Sequence, residues 1–459
     1  MRHAVIGLGL SLLAPLLPAG SCATPAEQAA AQPVLNSGEH TLEFDWPAIR
    51  VGTGEYEEGP TGVTVLYFPH RVLAVVDVRG GAPGTVNTDI LRLGYEDADI
   101  DAVVFSGGSA YGLESITAVG TALKDDALRS GAFDDVALSV GAIIYDLGDR
   151  RLNELYPDKR LAQAAFRAAR PGVFPLGAHG AGRFAKTGYY VGCNAYSGQG
   201  AAFRQVGTLK VAAFVVVNAV GVVTTRDGRV AACYRGAGWP ADLKTADLLA
   251  LTPVSRLGDW TAASGGGRRN TTISLIVTNR KLRAAELQRL AVQVHTSMGR
   301  AVQPFATQYD GDVLYAASTA EADAPSDQSG MNAVDLDVVA AEVMWDAILA
   351  SVPEQPPVLL PDDTVHLPGA QLRQYAGEYA FSPLARLRIT EAGGELHAVA
   401  SGARSVYLIG RDAPVVLRPR SATDFVVPGR YPMLLRFAPR GVLVLNPGHW
   451  QQTGRRSVP

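Results

Sequence analysis

One hydroxyl and two carboxylates carry the chemistry that is easiest to read in this sequence: Thr271, in Asn270-Thr271-Thr272-Ile273-Ser274, and Asp310 and Asp312, in Tyr309-Asp310-Gly311-Asp312. A threonine hydroxyl is a poor nucleophile until a base takes its proton. An α-amine, with an unperturbed pKa of about 7.7 to 8.0, suits that task near neutral pH. A chain cut just before a Thr therefore supplies nucleophile and base in one residue, and the same hydroxyl can make the cut by attacking the preceding carbonyl. Two carboxylates at i and i+2 on extended chain point to one face, where they can orient an ammonium or a hydroxyl and share protons. Asp-Gly is also a hairpin-turn signal, and most loop-to-strand junctions are ordinary, so these residues alone leave both bland readings open.

Two other stretches invite a catalytic reading and fail it. Ser106-Gly107-Gly108-Ser109-Ala110-Tyr111-Gly112 lies between a strand and a helix, but Tyr111 replaces the second glycine of a nucleophile elbow and no P-loop lysine is present. A close-packed turn is the expectation, one that could line a site. His179, in a Gly-Ala-rich run, has no triad partner visible in sequence. The His residues are scattered, and without CxxC or HExxH nothing announces a metal or a cofactor.

The elements that must position Thr271 are legible on both sides of it. Residues 62–68, 72–78 and 102–105 are short, β-branched and bounded by Gly or Pro, as strands are. Helical spacing covers 109–128 and 157–169. Residues 209–225 form a Val-rich strand or hairpin apolar enough to be buried on both faces. The pattern weakens from 227 to 269 and closes on Ser264-Gly265-Gly266-Gly267-Arg268-Arg269, a slack stretch expected to be exposed. Residues 271–278 then alternate as a strand, so a loop runs straight into the core at Asn270-Thr271. An amphipathic helix carrying Leu287, Leu290, Ala291, Val294 and Met298 follows, and another over 334–349.

Beyond the run Pro353-Glu354-Gln355-Pro356-Pro357, the texture changes to short alternating strands at 385–390, 396–400, 415–417, 434–437 and 442–445. These predict a small antiparallel barrel, whose Tyr375-Ala376-Gly377-Glu378-Tyr379 and Thr423-Asp424-Phe425 resemble the lipocalin-like domains attached to some secreted serine hydrolases.

With 459 residues, 47% of them hydrophobic and 19% charged, the chain can bury one large core and a smaller one. A net charge of -3 with both signs scattered gives no case for nucleic acid. Met1-Arg2-His3, an apolar stretch over 4–17, and Pro18-Ala19-Gly20-Ser21-Cys22-Ala23 follow the order of an export signal, which is too short for a comfortable membrane span. Cys22 could carry a lipid anchor, or cleavage could fall near Ala23. In an exported chain Cys193 and Cys233 could pair, or stay as two buried thiols.

Tyr56-Glu57-Glu58-Gly59-Pro60-Thr61-Gly62, Asp77-Val78-Arg79-Gly80-Gly81, Ile144-Tyr145-Asp146-Leu147, Asn270-Thr271-Thr272-Ile273-Ser274, Gln303-Pro304-Phe305 and Asp310-Gly311-Asp312 resemble the self-processing family of D-aminopeptidases, β-peptidyl aminopeptidases and nylon-oligomer endohydrolases. The likeness spans roughly residues 42–350. Tyr156-Pro157-Asp158-Lys159, Gln293-Val294-His295 and the Thr at the nucleophile position favour the endohydrolases that act on 6-aminohexanoate oligomers. The resemblance implies an αββα sandwich of the N-terminal-nucleophile type, Thr271 as nucleophile, and Asp310 and Asp312 beside its amine and hydroxyl. It further implies Asn218 as an oxyanion donor, Tyr145 near the oxyanion, Lys186 near the nucleophile, and a tetramer.

The expected organisation is a removed signal over 1–23, a hydrolase domain over 39–352 cut between Asn270 and Thr271, a Pro-rich linker over 353–367 and a lipocalin-like domain over 368–459. Its substrate would be a small amide, such as a nylon oligomer or a short peptide. Three rivals stand beside this: an aminopeptidase on D- or β-amino-acid amides, an acyltransferase of the ornithine acetyltransferase type, and a cell-envelope binding protein whose barrel does the work.

Overall fold

Strand faces that alternate between two apolar cores dictate the architecture. In Leu209–Asn218, the residues Ala212, Phe214 and Val216 enter one core while Val211, Ala213, Val215 and Val217 enter another. A strand buried on both faces must have a layer on each side of it. The structure, a computed structural model of the chain, describes residues 25–94, 98–147, 151–233, 242–251, 270–322, 330–357, 359–407, 409–427 and 433–457. The expected signal, Cys22 and the glycine-rich Ser264-to-Arg269 stretch lie outside the described residues.

The strands that matter are β1 (Arg50–Tyr56), β2 (Thr61–Val78), β3 (Ala98–Ser106), β4 (Ser139–Ile143), β5 (Lys186–Thr187), β6 (Ala195–Tyr196), β7 (Gln199–Val206), β8 (Leu209–Asn218), β9 (Thr271–Arg280) and β10 (Val313–Ala322). The principal sheet runs β7-β8-β9-β10-β2-β3-β4, with β1 also pairing β2. Its pairs are antiparallel except β9 with β10 and β3 with β4. The 18-residue β2 pairs β1 through its first half and β10 through its second, and β3 on both sides of a register shift between Tyr67 and Val72. That irregularity lets one strand serve two layers, which close on each other over Leu66, Phe105, Phe214, Leu275 and Tyr315.

Helices cover both outer faces. On one, α1 (Leu113–Asp125) and α2 (Lys159–Arg167) pack Ile116, Val119 and Leu161 against Val63, Val65 and Val104. On the other, α3 (Ala284–Ser297) and α4 (Ala333–Ala350) pack Leu290, Val294, Met344 and Ile348 against Val215, Ile276 and Leu314. This is the expected αββα sandwich. Local signals agree: Asp158 caps α2 by accepting from Leu161 N at 3.0 Å, and Asn332 with Asp335 forms a capping box on α4. Strand β8 ends at Asn218 and Val222–Val223 pairs with Val302–Gln303, so the stretch expected over 209–225 as one long strand or hairpin is neither.

Cys193 and Cys233 form a disulfide. No described helix is long and apolar enough to cross a membrane.

The C-terminal strands β11 (Gly377–Ala380), β12 (Arg386–Ala392), β13 (Glu395–Ala400), β14 (Val415–Pro419), β15 (Asp424–Val427), β16 (Met433–Ala438), β17 (Val442–Leu445) and β18 (Gln452–Arg456) form a closed antiparallel barrel, with β18 returning to β11. Its interior is filled by Leu387, Ile389, Leu396, Phe425, Leu435 and Phe437. The αββα layers reach into it: Leu152, 1% exposed, packs in the barrel core, and its N–H donates to Gln452 Oε1 at 2.5 Å.

Candidate active site

Thr271 is the first residue of β9, and it is held from both sides. Its partner across the antiparallel ladder with β8 is Asn218, and on the other side Asn270 bridges to Asp310 just ahead of β10. The sheet thus gathers Asn218, Asn270, Thr271, Asp310 and Asp312 at one end of three adjacent strands. All five are buried.

The peptide between Asn270 and Thr271 is in a polar clamp. Its carbonyl oxygen accepts from Gly311 N–H at 2.8 Å and from Thr271 Oγ1 at 2.5 Å. Both polar atoms of the Asn270 side chain are buried with no hydrogen-bond partner among the described residues. Leaving such groups unpaired costs about 1–3 kcal/mol.

Both carboxyl groups are fixed by N–H donors. Asp312 accepts from Thr272 N at 2.6 Å and Ala306 N at 2.9 Å. Asp310 accepts from Val220 N at 3.1 Å, Thr307 N at 3.2 Å and Thr307 Oγ1 at 2.7 Å. Burial, followed by the Asp310 charge, holds Asp312 well above the usual carboxylate range, and burial raises Asp310 as well. Such a pair shares its protons, and its members ionise one after the other. The hairpin reading of Asp-Gly fails, because Gly311 N–H is turned onto Asn270 instead of closing a turn. Neither carboxylate is hydrogen-bonded to Thr271 Oγ1, which is turned onto the Asn270 carbonyl.

Asn218 joins the remaining expected residues. Its Nδ2 donates to the Tyr145 carbonyl at 3.1 Å and its Oδ1 accepts from Lys186 N at 3.1 Å. Tyr145 and Lys186 therefore meet Asn218 through their backbones. The Lys186 ammonium lies 4.4 Å from the Tyr196 ring centroid and 5.5 Å from that of Tyr407 in the barrel.

Sequence reasoning missed the donors on the backbone, those of Gly311, Val220 and Ala306, which no residue type announces. Thr307, three residues before Asp310, was the available signal, because Thr-x-x-Asp is a turn in which a hydroxyl meets a carboxylate. The glycines of Asp77-Val78-Arg79-Gly80-Gly81 also have a reason here: a Cβ on Gly80 would come 2.1 Å from Asp312 N. The decoys stay apart from this centre. Ser106 bonds Ser115, in a turn where a Cβ on Gly112 would sit 1.8 Å from the Gly107 carbonyl oxygen. His179 is paired with Glu55 at 3.1 Å. Among the described residues, no group of three or more His, Cys, Asp or Glu side chains is placed to hold a metal ion.

The model of peptidase family S58 matches residues 44–359, which takes in every residue of this centre. The chain belongs to peptidase family S58. The 6-aminohexanoate-oligomer endohydrolases of Kocuria sp. and Paenarthrobacter ureafaciens are 40% and 39% identical to it over 330 residues, 69% of this chain and 87% of each relative. A solved β-aminopeptidase from a Burkholderia species aligns with 71% of this chain and 90% of its own, at 20% identity and a TM-score of 0.47. As an S58 chain 40% and 39% identical to two oligomer endohydrolases, the protein is an amide hydrolase, and the barrel follows the matched region.

Proposed function

We infer that this S58 hydrolase cuts itself between Asn270 and Thr271 and then uses Thr271 as an amino-terminal nucleophile on linear amides such as 6-aminohexanoate oligomers. The observation that carries this reading is the clamp on Asn270: the Thr271 hydroxyl and the Gly311 N–H converge on the same carbonyl oxygen. In the first step Thr271 Oγ1 bonds to the Asn270 carbonyl carbon, the C–N bond breaks, and the Thr271 nitrogen takes up the hydroxyl proton as it becomes an amine. Gly311 N–H stabilises the charge that develops on the Asn270 oxygen. Water then hydrolyses the resulting ester, and the unpaired Asn270 amide is released from its burial.

Turnover repeats the chemistry on a substrate carbonyl. The new amine serves as the base for its own hydroxyl, and Asp310 and Asp312 hold the amine and take up or return protons. Asn218 Nδ2 carries a second hydrogen besides the one given to Tyr145, and that hydrogen is available to the oxyanion. The acyl group passes to Thr271, the amine product leaves, and water activated by the α-amine frees the acid.

Export suits the same protein. The charged, apolar and small-residue order of residues 1–23 fits it, and so does the Cys193–Cys233 disulfide, a bond that persists in oxidising compartments.

Gel and intact-mass analysis test the central claim. The wild-type protein should give two fragments, the second beginning at Thr271, and hydrolyse amide oligomers, whereas Thr271→Ala should stay full-length and inactive. A Thr271→Ala protein that is still cut would overturn it. Internal cuts in an oligomer favour the endohydrolase, single residues released from the amino end favour an aminopeptidase, and turnover only with an added amine acceptor favours an acyltransferase.

A further inference from the structure

The barrel meets the hydrolase domain at Lys186. A cavity of about 190 Å³ opens there, bounded on the hydrolase side by Lys186 and Tyr196 and on the barrel side by Tyr407, Met433, Leu434 and Trp450. The linker closes a third side with Pro356 and Pro357.

This is a built junction. Trp450 stacks on Tyr196 with ring centroids 3.9 Å apart and donates from Nε1 to the Arg183 carbonyl at 3.2 Å. Gln355 of the linker takes both backbone groups of Tyr196, accepting from its N–H and donating to its carbonyl, each at 2.9 Å. Tyr196 is in turn the ladder partner of Lys186 across β5 and β6. Linker and barrel thus grip the strand that faces Lys186, while Lys186 N–H is bonded to Asn218, the residue opposite Thr271. One lining residue, Lys186, thus ties the cavity to the candidate active site through its backbone bond to Asn218.

Its chemistry is selective. The walls are mostly aromatic and aliphatic, with the amides of Asn194, Gln355 and Asn446 among them, and Lys186 is the only side chain among the described lining residues that is charged near neutral pH. An apolar chain gains from covering such walls, and a carboxylate or carbonyl oxygen at its end gains from Lys186, whereas an ammonium at the same place would meet the like charge of Lys186.

We propose that the C-terminal barrel is a wall of the substrate site, and that its Tyr407 and Trp450 help Lys186 hold the apolar chain of an amide substrate by an end bearing a carboxylate or carbonyl oxygen. This deepens the proposed hydrolase function and rests on it for the word substrate. The pocket itself can be tested without turnover.

Calorimetric titration of the full-length protein with hexanoate and with hexylamine is the test. Hexanoate should bind and hexylamine should not. Trp450→Ala and Tyr407→Ala should each weaken hexanoate roughly tenfold, the scale of losing one ring's apolar contact. Trp450→Phe, which keeps a ring against Tyr196, should retain most of the affinity. Arg404→Gln, which removes the 3.3 Å ion pair to Glu154 between the same two domains but lies outside the lining, should leave it unchanged. Equal binding of the two probes, or unchanged hexanoate affinity in the folded Trp450 and Tyr407 variants, overturns the proposal even if amides are hydrolysed. Hexanoate binding that depends on these rings in a protein that hydrolyses no amide upholds the pocket and removes the proposed function instead.

Discussion

Gly311 donates its backbone N–H to the Asn270 carbonyl oxygen across 2.8 Å, so the loop that carries both aspartates also holds the bond proposed to break. Two roles are joined in three residues. The carboxyl groups of Asp310 and Asp312 are fixed by the donors around them, and the glycine between them faces the peptide.

Gly311→Ala should therefore impair self-cleavage. An added Cβ would come 2.8 Å from Thr271 Oγ1 and 2.7 Å from the Ala82 carbonyl oxygen, displacing either the hydroxyl or the loop. Loss of one well-placed oxyanion donor slows reactions by about a hundredfold or more. Following the full-length band with time after expression gives the rate, and processing at the wild-type rate would contradict the assignment.

Acid should inactivate the enzyme earlier than an ordinary carboxylate implies. Asp312 must ionise to accept a proton, and burial with the Asp310 charge raises it well above 3.8. The acid limb of kcat/KM should follow that raised value, and Asp310→Asn should move the limb of its residual activity to lower pH. The stability sign follows: a carboxyl raised in the native state keeps its proton there, so the native state loses stability as pH rises from the ordinary value through the raised one. An acid limb near pH 3.8, or one shifted upward in Asp310→Asn, would count against the pair.

Reduction should soften the region around the site. The Cys193–Cys233 bond spans a sequence separation of 40, for which chain-entropy reasoning gives about 4 kcal/mol. Cys193→Ala should lower the unfolding free energy by an amount of that order in denaturant titrations. Because both cysteines precede Asn270, the two fragments should separate on a gel without reductant.

Leu152→Ala probes the seating of the barrel. Leu152 is 1% exposed and packed among barrel residues, so truncation should cost about 2–5 kcal/mol. Calorimetry should show the loss in the transition that includes the barrel, with self-cleavage intact.

What could be read in advance followed from periodicity. Near-continuous Val marks 209–225 as a strand or hairpin buried on both faces, and alternation with β-branching marks 271–278 as a strand; the structure forms strands at Leu209–Asn218 and Thr271–Arg280. The helices announced themselves through Leu287, Leu290, Val294 and their spacing. Strand β18, Gln-Thr-Gly-Arg-Arg, was invisible because only Gln452 and Gly454 turn inward, and neither is apolar. At the site, side-chain types marked Thr271, Asp310 and Asp312, while the donors from Gly311, Val220 and Ala306 belong to the backbone and exist only once the strands pair. Two-domain contact was equally hidden, since nothing in Leu152 or Trp450 says what lies across from it.

A cut after Asn270 would change what the barrel is for. It would belong to the carboxy-terminal product together with Thr271, while Leu152, Glu154 and Tyr196, which it touches through its core, Arg404 and Trp450, would belong to the amino-terminal one. The mature enzyme would then be two chains sharing one sheet, with β9 and β10 of the newer chain set between β8 and β2 of the older, and the barrel a clasp fastening the newer end to the older.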